Sequence, residues 1–327
     1  MPTAKDFITI PYTPDMTQGG IAYACKSLAY TYNRMGSTPF KRLQRIVAGV
    51  AVELAFRRHL VQNEIPHDNL GATPFTDPDR YDISIGGRRC DIKSYMLIHK
   101  DQISQIRKNP AQLLDAQALV PADQMASSQF NDEDLYIFAF TTALLTPNQD
   151  SLQKAYAAEQ PIFMIHALPK VWARPQKWSA LGTLALKSDC STQIKLELGG
   201  LGHDHKAISE HKKLLPGNRI TAQKEFHALH YLHTPDLPDG PVGVHSPVLE
   251  ETLIIDALDW GNIWVYGMEI IYAGYITRGE FRKKAKKLPA GSRVFQYPRT
   301  ITANLALPIG GLHSLEDLFR KAQSWER

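Results

Sequence analysis

The sequence predicts an α/β core joined to a second, mainly β module. Three observations carry this: a long helical pattern ending near Gln62, two alternating runs hinged on Gly86-Gly87, and a change of character after Thr146. At 327 residues the chain exceeds what one ordinary core needs, so two domains, or a core with a large insertion, are expected.

The elements follow in order. Residues 19–35 (GIAYACKSLAYTYNRM with its preceding glycine) form the first helix candidate, with Gly36 as its C′ residue. Thr38 then serves as N-cap and Pro39 as N1 for a helix running to about Gln62. Its apolar positions Leu43, Val47, Val50, Leu54 and Val61 follow the helical repeat. Residues 65–78 hold three prolines and a glycine and read as a loop with room for one short strand. The run RYDISIGGRRCDIKSYMLI (80–98) reads as a hairpin with a two-residue turn. A polar helical segment broken by Pro110 follows to about Leu119, and DLYIFAFTTAL (134–144) is a buried strand.

Between Thr146 and about Asp256, β-like runs (PIFMIHAL, QIKLELGG, FHALHYLH) alternate with prolines and other turn residues. WVYGMEIIYAGYI is a further strand, and Thr277 with Glu280 forms a capping box opening a basic helix, FRKKAKKL. The expected divisions are a helical segment 1–36, a core 37–145, a β-rich recognition module 146–256, and a C-terminal strand and basic helix 257–327.

Composition narrows the function classes. An apolar fraction of 43% and a charged fraction of 21% are those of a soluble globular protein, and no window approaches a membrane span. The first residues lack a secretory apolar region, and three widely spaced cysteines (Cys25, Cys90, Cys190) make neither a disulfide framework nor a four-cysteine zinc site. The expectation is a cytoplasmic protein. A formal charge of +4 permits a polyanionic partner without demanding one.

The hairpin carries the chemistry. With Gly86 and Gly87 as turn residues, Ile85 pairs with Arg88, Ile83 with Cys90 and Asp82 with Asp91. One face then holds Asp82, Ser84, Arg89, Asp91 and Lys93, and the other Tyr81, Ile83, Ile85, Cys90 and Ile92. Two carboxylates facing each other repel unless a cation neutralises them, and Mg²⁺ favours one or two carboxylates plus waters and phosphate oxygens. Lys93 sits where it can orient an attacking water and offset charge at phosphorus. The competing reading is a hairpin with a solvated polar face. Glu53 weighs against it: on the long helix it shares a row with Ile46, Gly49, Val50 and Leu60, where a carboxylate is costly unless paired or metal-bound. Its own alternative is an i,i+4 pair with Arg57.

An inward helix Glu, a strand Asp and a hairpin return bearing Asp-x-Lys together resemble the PD-(D/E)XK nuclease core. Here they stand as GVAVE ending at Glu53, RYDISIGG containing Asp82, and CDIKS containing Asp91, Ile92 and Lys93. The resemblance covers about a third of the chain, Thr38 to Leu144. It implies a restriction-endonuclease-like fold, a central mixed sheet flanked by helices. It also implies a metal site of Asp82, Asp91 and the Ile92 carbonyl, completed by Glu53, with Lys93 assisting the water. Pro78-Asp79 matches the literal "PD" but precedes the strand, and the register favours Asp82. The cofactor implied is Mg²⁺, with Mn²⁺ able to substitute. The activity implied is cleavage of double-stranded DNA by a restriction- or defence-type endonuclease, working as a homodimer.

Phosphate contacts are expected from Arg89 and from Arg278, Arg282, Lys283, Lys284, Lys286 and Lys287, whose alternative is a solvated helix face. Two histidine groups (His203, His205 and His211 with Asp204; His227, His230, His233) have spacings zinc uses, without cysteine or a closing carboxylate pattern, so satisfied or surface histidines are the ordinary reading. A His-Asn-His nuclease site on the same residues is a lesser alternative. No phosphate-loop or Gly-x-Ser-x-Gly pattern occurs, which weighs against nucleotide hydrolysis and serine hydrolysis. The rival from another class is a non-catalytic protein whose β-rich module binds a sugar, a peptide or nucleic acid.

Overall fold

A computed structural model describes residues 2–27, 39–68, 82–126, 131–264 and 266–325. The first elements are β1 (Ile8–Pro11), α1 (Pro14–Ser27), α2 (Pro39–Gln62), β2 (His67–Asp68), β3 (Ile83–Ile85) and β4 (Arg88–Leu97). Then come α3 (Lys100–Lys108), β5 (Gln117–Pro121), α4 (Ala122–Met125), β6 (Leu135–Leu144) and α5 (Gln149–Ala157). The middle of the chain holds β7 (Met164–Ala167), α6 (Lys170–Ala173), β8 (Ala185–Ser188), β9 (Ile194–Leu201), β10 (Ala207–Leu214) and β11 (Arg219–Thr221). It continues with β12 (Ala228–Thr234), β13 (Val242–Ser246), β14 (Glu251–Ile255) and β15 (Gly261–Asn262). The last elements are β16 (Tyr266–Thr277), α7 (Arg278–Lys284), β17 (Lys286–Leu288), β18 (Asn304–Pro308) and α8 (Leu315–Trp325). No helix among the described residues is long and apolar enough to cross a membrane.

The fold is α/β with a mixed sheet, helices and further β-sheets. Two compact units divide it: residues 1–20, 48–144 and 265–327, and residues 21–47 and 145–264. In the first, a six-stranded sheet runs β1-β16-β6-β4-β3-β2. The pair β4–β6 is parallel and its other pairs are antiparallel. One sheet face carries Ile83, Ile85, Cys90, Leu135, Ile137, Ile270 and Tyr272, packed against Val52, Ala55 and Phe56 of α2 and Leu315, Leu318 and Ala322 of α8. The other carries Tyr95, Leu97, Tyr136, Phe138 and Phe140, covered by α3, α7 and the small sheet β17-β18-β5.

The hairpin has the expected register, Ile83 opposite Cys90 and Ile85 opposite Arg88. Its turn needs glycine twice, since φ is +52° at Gly86 and +74° at Gly87. A Cβ on Gly86 would also lie 2.5 Å from the Trp325 ring. That ring takes the Arg88 guanidinium 4.0 Å from its centroid.

In the second unit, the sheets β10-β9-β12-β7-β15 and β11-β8-β13-β14 enclose a core that includes Trp172, Leu186, Leu198, Phe226 and Leu232. Ile21 and Ala24 of α1 and Leu43 and Val47 of α2 pack with Ile165, Tyr231 and Ile263. The β-rich region thus includes residues 21–47 as well as 145–264.

Several expectations require correction. The segment 1–36 is not simply helical: Ile8–Pro11 is an edge strand paired with β16. Its helix begins at Pro14, whose fixed φ suits a first turn, with Asp15 favourable to the helix dipole there. Residues 28–38 lie outside the described set, and so do Asp79 and Tyr81. The helical segment expected to reach about Leu119 with a break at Pro110 is α3 to Lys108 followed by a 3-10 helix over Pro110–Asp115, and the chain then enters β5 at Gln117. The basic helix ends at Lys284, so Lys286 and Lys287 stand on β17, paired with β18.

Candidate active site

Asp82, Asp91, Ile92 and Lys93 meet where β3 and β4 part. Described pairing between these strands ends at Ile83–Cys90, while β4 continues to Leu97. Asp82 lies one residue before β3, with its backbone N–H on the Cys90 carbonyl at 3.0 Å. Its carboxylate accepts the Ile92 backbone N–H at 2.6 Å, so a side chain takes the place a backbone carbonyl has in a continuing ladder. Arg57 of α2 donates to the Asp82 carbonyl at 2.7 Å and fixes the chain there.

Along β4, Asp91 and Lys93 point to the same face as Tyr95 and Leu97, and their parallel partners are Tyr136 and Phe138. Their side chains are 19% and 14% exposed, and the Lys93 ammonium lies 2.5 Å from Asp91 Oδ2. Lys93 also donates to Gln124 Oε1 of α4 at 3.0 Å and sits 6.0 Å from the Tyr136 ring centroid. Burial, reinforced by the Asp91 charge, pushes the Tyr136 hydroxyl up to about 12, so it keeps its proton at neutral pH. Burial likewise raises the Cys90 thiol and leaves it unreactive.

Glu53 stands on α2, the layer over the opposite sheet face, and its charge is felt at Tyr272. The Tyr272 hydroxyl donates to the Val52 carbonyl at 2.7 Å and is raised chiefly by burial, then by Glu53. Helix periodicity places Glu53 at the margin of the buried stripe without saying which sheet face that stripe covers, and α2 packs on the face opposite Asp91 and Lys93. Among the described residues no three His, Cys, Asp or Glu side chains gather in a way that holds a metal.

The proposed phosphate contacts separate into two kinds. Arg278 is buried, donates to the Met125 carbonyl at 2.7 Å and is removed from any nucleic-acid face. Arg282 pairs with Asp132 at 2.7 Å and Lys284 with Glu280 at 3.4 Å. Lys283, Lys286 and Lys287 are exposed. Arg89 lies 3.6 Å from the buried Asp134 carboxylate.

Gln124 and Tyr136 were not legible as site residues, because the β5–β18 pairing and the parallel β4–β6 register place them. The histidines also regroup. His203 meets His227 at 5.4 Å between centroids, and His205 stacks on Trp178 at 3.9 Å. His230 is buried, which lowers it to about 4 and keeps it neutral. His233 binds Glu197 at 3.0 Å. Comparison with family models, with curated proteins and with solved structures finds no match for this chain.

Proposed function

We propose that this chain is a Mg²⁺-dependent endonuclease of the PD-(D/E)XK, restriction-endonuclease-like class, hydrolysing phosphodiester bonds of double-stranded DNA. The observation that supports it most is the desolvated Asp91–Lys93 pair beside Asp82, at the divergence of β3 and β4. A largely buried ion pair is seldom better for stability than an apolar pair of the same volume, so its presence calls for a functional reason.

The donor chemistry fits a hard cation. Carboxylate oxygens of Asp82 and Asp91 with the Ile92 carbonyl suit Mg²⁺, or Mn²⁺ in its place, because Mg²⁺ takes few protein ligands and keeps waters and phosphate oxygens. When bound, the ion offsets charge on the phosphate under attack. Lys93, steadied by Gln124, places a positive charge beside the same phosphate and orients the attacking water. Glu53 is left out of this set. A homodimer supplies one such site per strand, and the buried free thiols Cys90 and Cys190 suit the cytoplasm.

The second reading, a non-catalytic binding protein, draws on Lys93 already neutralising Asp91. Incubating the purified chain with supercoiled plasmid and structured RNA, with Mg²⁺, Mn²⁺ or EDTA, decides between them. Metal-dependent nicking or linearisation of the plasmid is expected. No cleavage, together with no divalent-ion binding by calorimetry, leaves the second reading.

Phosphate binding by the exposed lysines is tested separately. Lys283→Glu, Lys286→Glu and Lys287→Glu are expected to weaken DNA binding. Each lost phosphate contact lowers the slope of log affinity against log salt by about 0.9. Unchanged slopes would assign this edge to solvent.

A further inference from the structure

A second polar site lies on the β-rich unit, away from the proposed nuclease residues in sequence and in chemistry. Strands β9 and β10 set Lys195 directly opposite Lys213 and Glu197 opposite His211, and β12 sets His233 beside Glu197. Cross-strand partners share a face, and like charges directly opposite are destabilising unless an anion lies between them. Neither ammonium has an ion-pair partner among the described residues, and Lys195, His211 and Lys213 are all exposed. The adjacent Lys212 lines the same cavity as these residues but is already paired with Glu210 at 2.7 Å. Asp236 turns its carboxylate to the Lys195 backbone N–H at 2.7 Å.

Behind these cations the face is built rather than incidental. Glu197 accepts from the Tyr231 hydroxyl at 3.1 Å and is bound by His233 Nδ1 at 3.0 Å. Burial opposes its charge, but the His233 and Tyr231 hydrogen bonds hold its carboxyl below the usual range. Tyr231 reaches it only because residue 199 is glycine, where a Cβ would lie 1.9 Å from the ring. His233 stacks on Phe163, and its Nε2 is buried without a hydrogen-bond partner. Lys195, Glu197, His211, Lys213 and His233 line a cavity of about 310 Å³, the size class of small-ligand pockets.

We propose that this cavity binds a phosphomonoester, held by Lys195, Lys213 and His211 above the Glu197–His233 pair. Lysine ammoniums serve phosphate as point charges, and Lys195 and Lys213 both line this cavity. Glu197 stays anionic, and the two opposed ammoniums outweigh its charge at the site. The phosphate belongs either to a free nucleoside monophosphate or to a 5′-phosphorylated nucleic-acid end.

The test uses the full chain in EDTA, which separates it from any metal-dependent cleavage. Fluorescence anisotropy compares a short DNA single strand bearing a 5′-phosphate with the same strand bearing a 5′-hydroxyl. At least tenfold tighter binding of the phosphorylated strand is expected. That preference should vanish in the Lys195→Gln/Lys213→Gln double variant and survive in Lys195→Arg/Lys213→Arg. Competition by a nucleoside monophosphate, but not by the nucleoside, identifies the free nucleotide as ligand; competition by the phosphorylated strand alone identifies the nucleic-acid end. Equal affinity for the two strands by the parent chain overturns the proposal whatever the variants do. A preference retained in the Gln double variant overturns it as well.

Discussion

Asp91→Asn and Lys93→Met are each expected to lower Mg²⁺-dependent cleavage by about 10³-fold or more while leaving DNA binding within a few-fold. The first change removes a proposed anionic metal ligand, and the second removes a positive charge held against the phosphate. Either loses several kcal/mol of transition-state stabilisation, and each ~1.4 kcal/mol is tenfold in rate. The near-isosteric replacements avoid opening a cavity, but each still leaves the partner's mostly buried charge unpaired, at a cost that approaches ~3–5 kcal/mol for full burial. With side chains 14% and 19% exposed, the pair sits near that limit, so melting curves must accompany the rates. Gln124→Ala should act in the same direction but more weakly, about tenfold, because Asp91 still holds the ammonium. Normal turnover by folded Asp91→Asn or Lys93→Met would end the nuclease reading. An equal loss in Gln124→Ala would show that α4, not the Asp91 contact, places Lys93.

What was legible in the sequence is what local chemistry specifies. Gly86-Gly87 dictates a two-residue turn, and that turn sets the pairing of Ile83 with Cys90. The apolar repeat from Leu43 onward marks α2, and the mostly apolar run from Leu135 marks a strand buried on both faces. The strand Ile8–Pro11 was hidden because four residues ending in proline carry almost no periodicity; its place comes from β16. α8 was there to be read. Leu315, Leu318 and Ala322 keep helical spacing, and the Ser314 hydroxyl accepts from the Asp317 N–H at 3.3 Å. The basic run from Arg278 divides at Ala285 because Lys286–Leu288 is drawn into pairing with β18, a tertiary demand that outweighs helix propensity. The site shows the same division. Asp91 and Lys93 follow from hairpin register, but the pairing stops at Ile83–Cys90. Asp82, expected opposite Asp91, puts its N–H on the Cys90 carbonyl instead, while the layer on which Glu53 falls follows from how α2 crosses the sheet.

Arg278 is the residue whose role changes most between sequence and structure, and its replacement is expected to act on stability rather than on DNA. It stands at the start of α7 with its backbone N–H on the Asp134 carbonyl at 2.8 Å. Its guanidinium donates to the Met125 carbonyl at 2.7 Å and hydrogen-bonds Tyr136. A buried hydrogen bond from a charged donor contributes about 1.5–3 kcal/mol, and the buried stem adds packing. Arg278→Ala should therefore destabilise the first unit by about 3 kcal/mol and lower its melting midpoint by roughly 10 °C. Arg278→Lys keeps the charge but not the planar fork, so it should recover only part of the loss. Because Met125 ends the helix that bears Gln124, and Tyr136 lies under Lys93, the same variant should also slow cleavage in molecules that remain folded. Its salt slope for DNA should match that of the parent chain, in contrast to the Lys283, Lys286 and Lys287 variants, which should melt normally and lose slope. A normally melting Arg278→Ala chain with a reduced salt slope would return Arg278 to the nucleic-acid face.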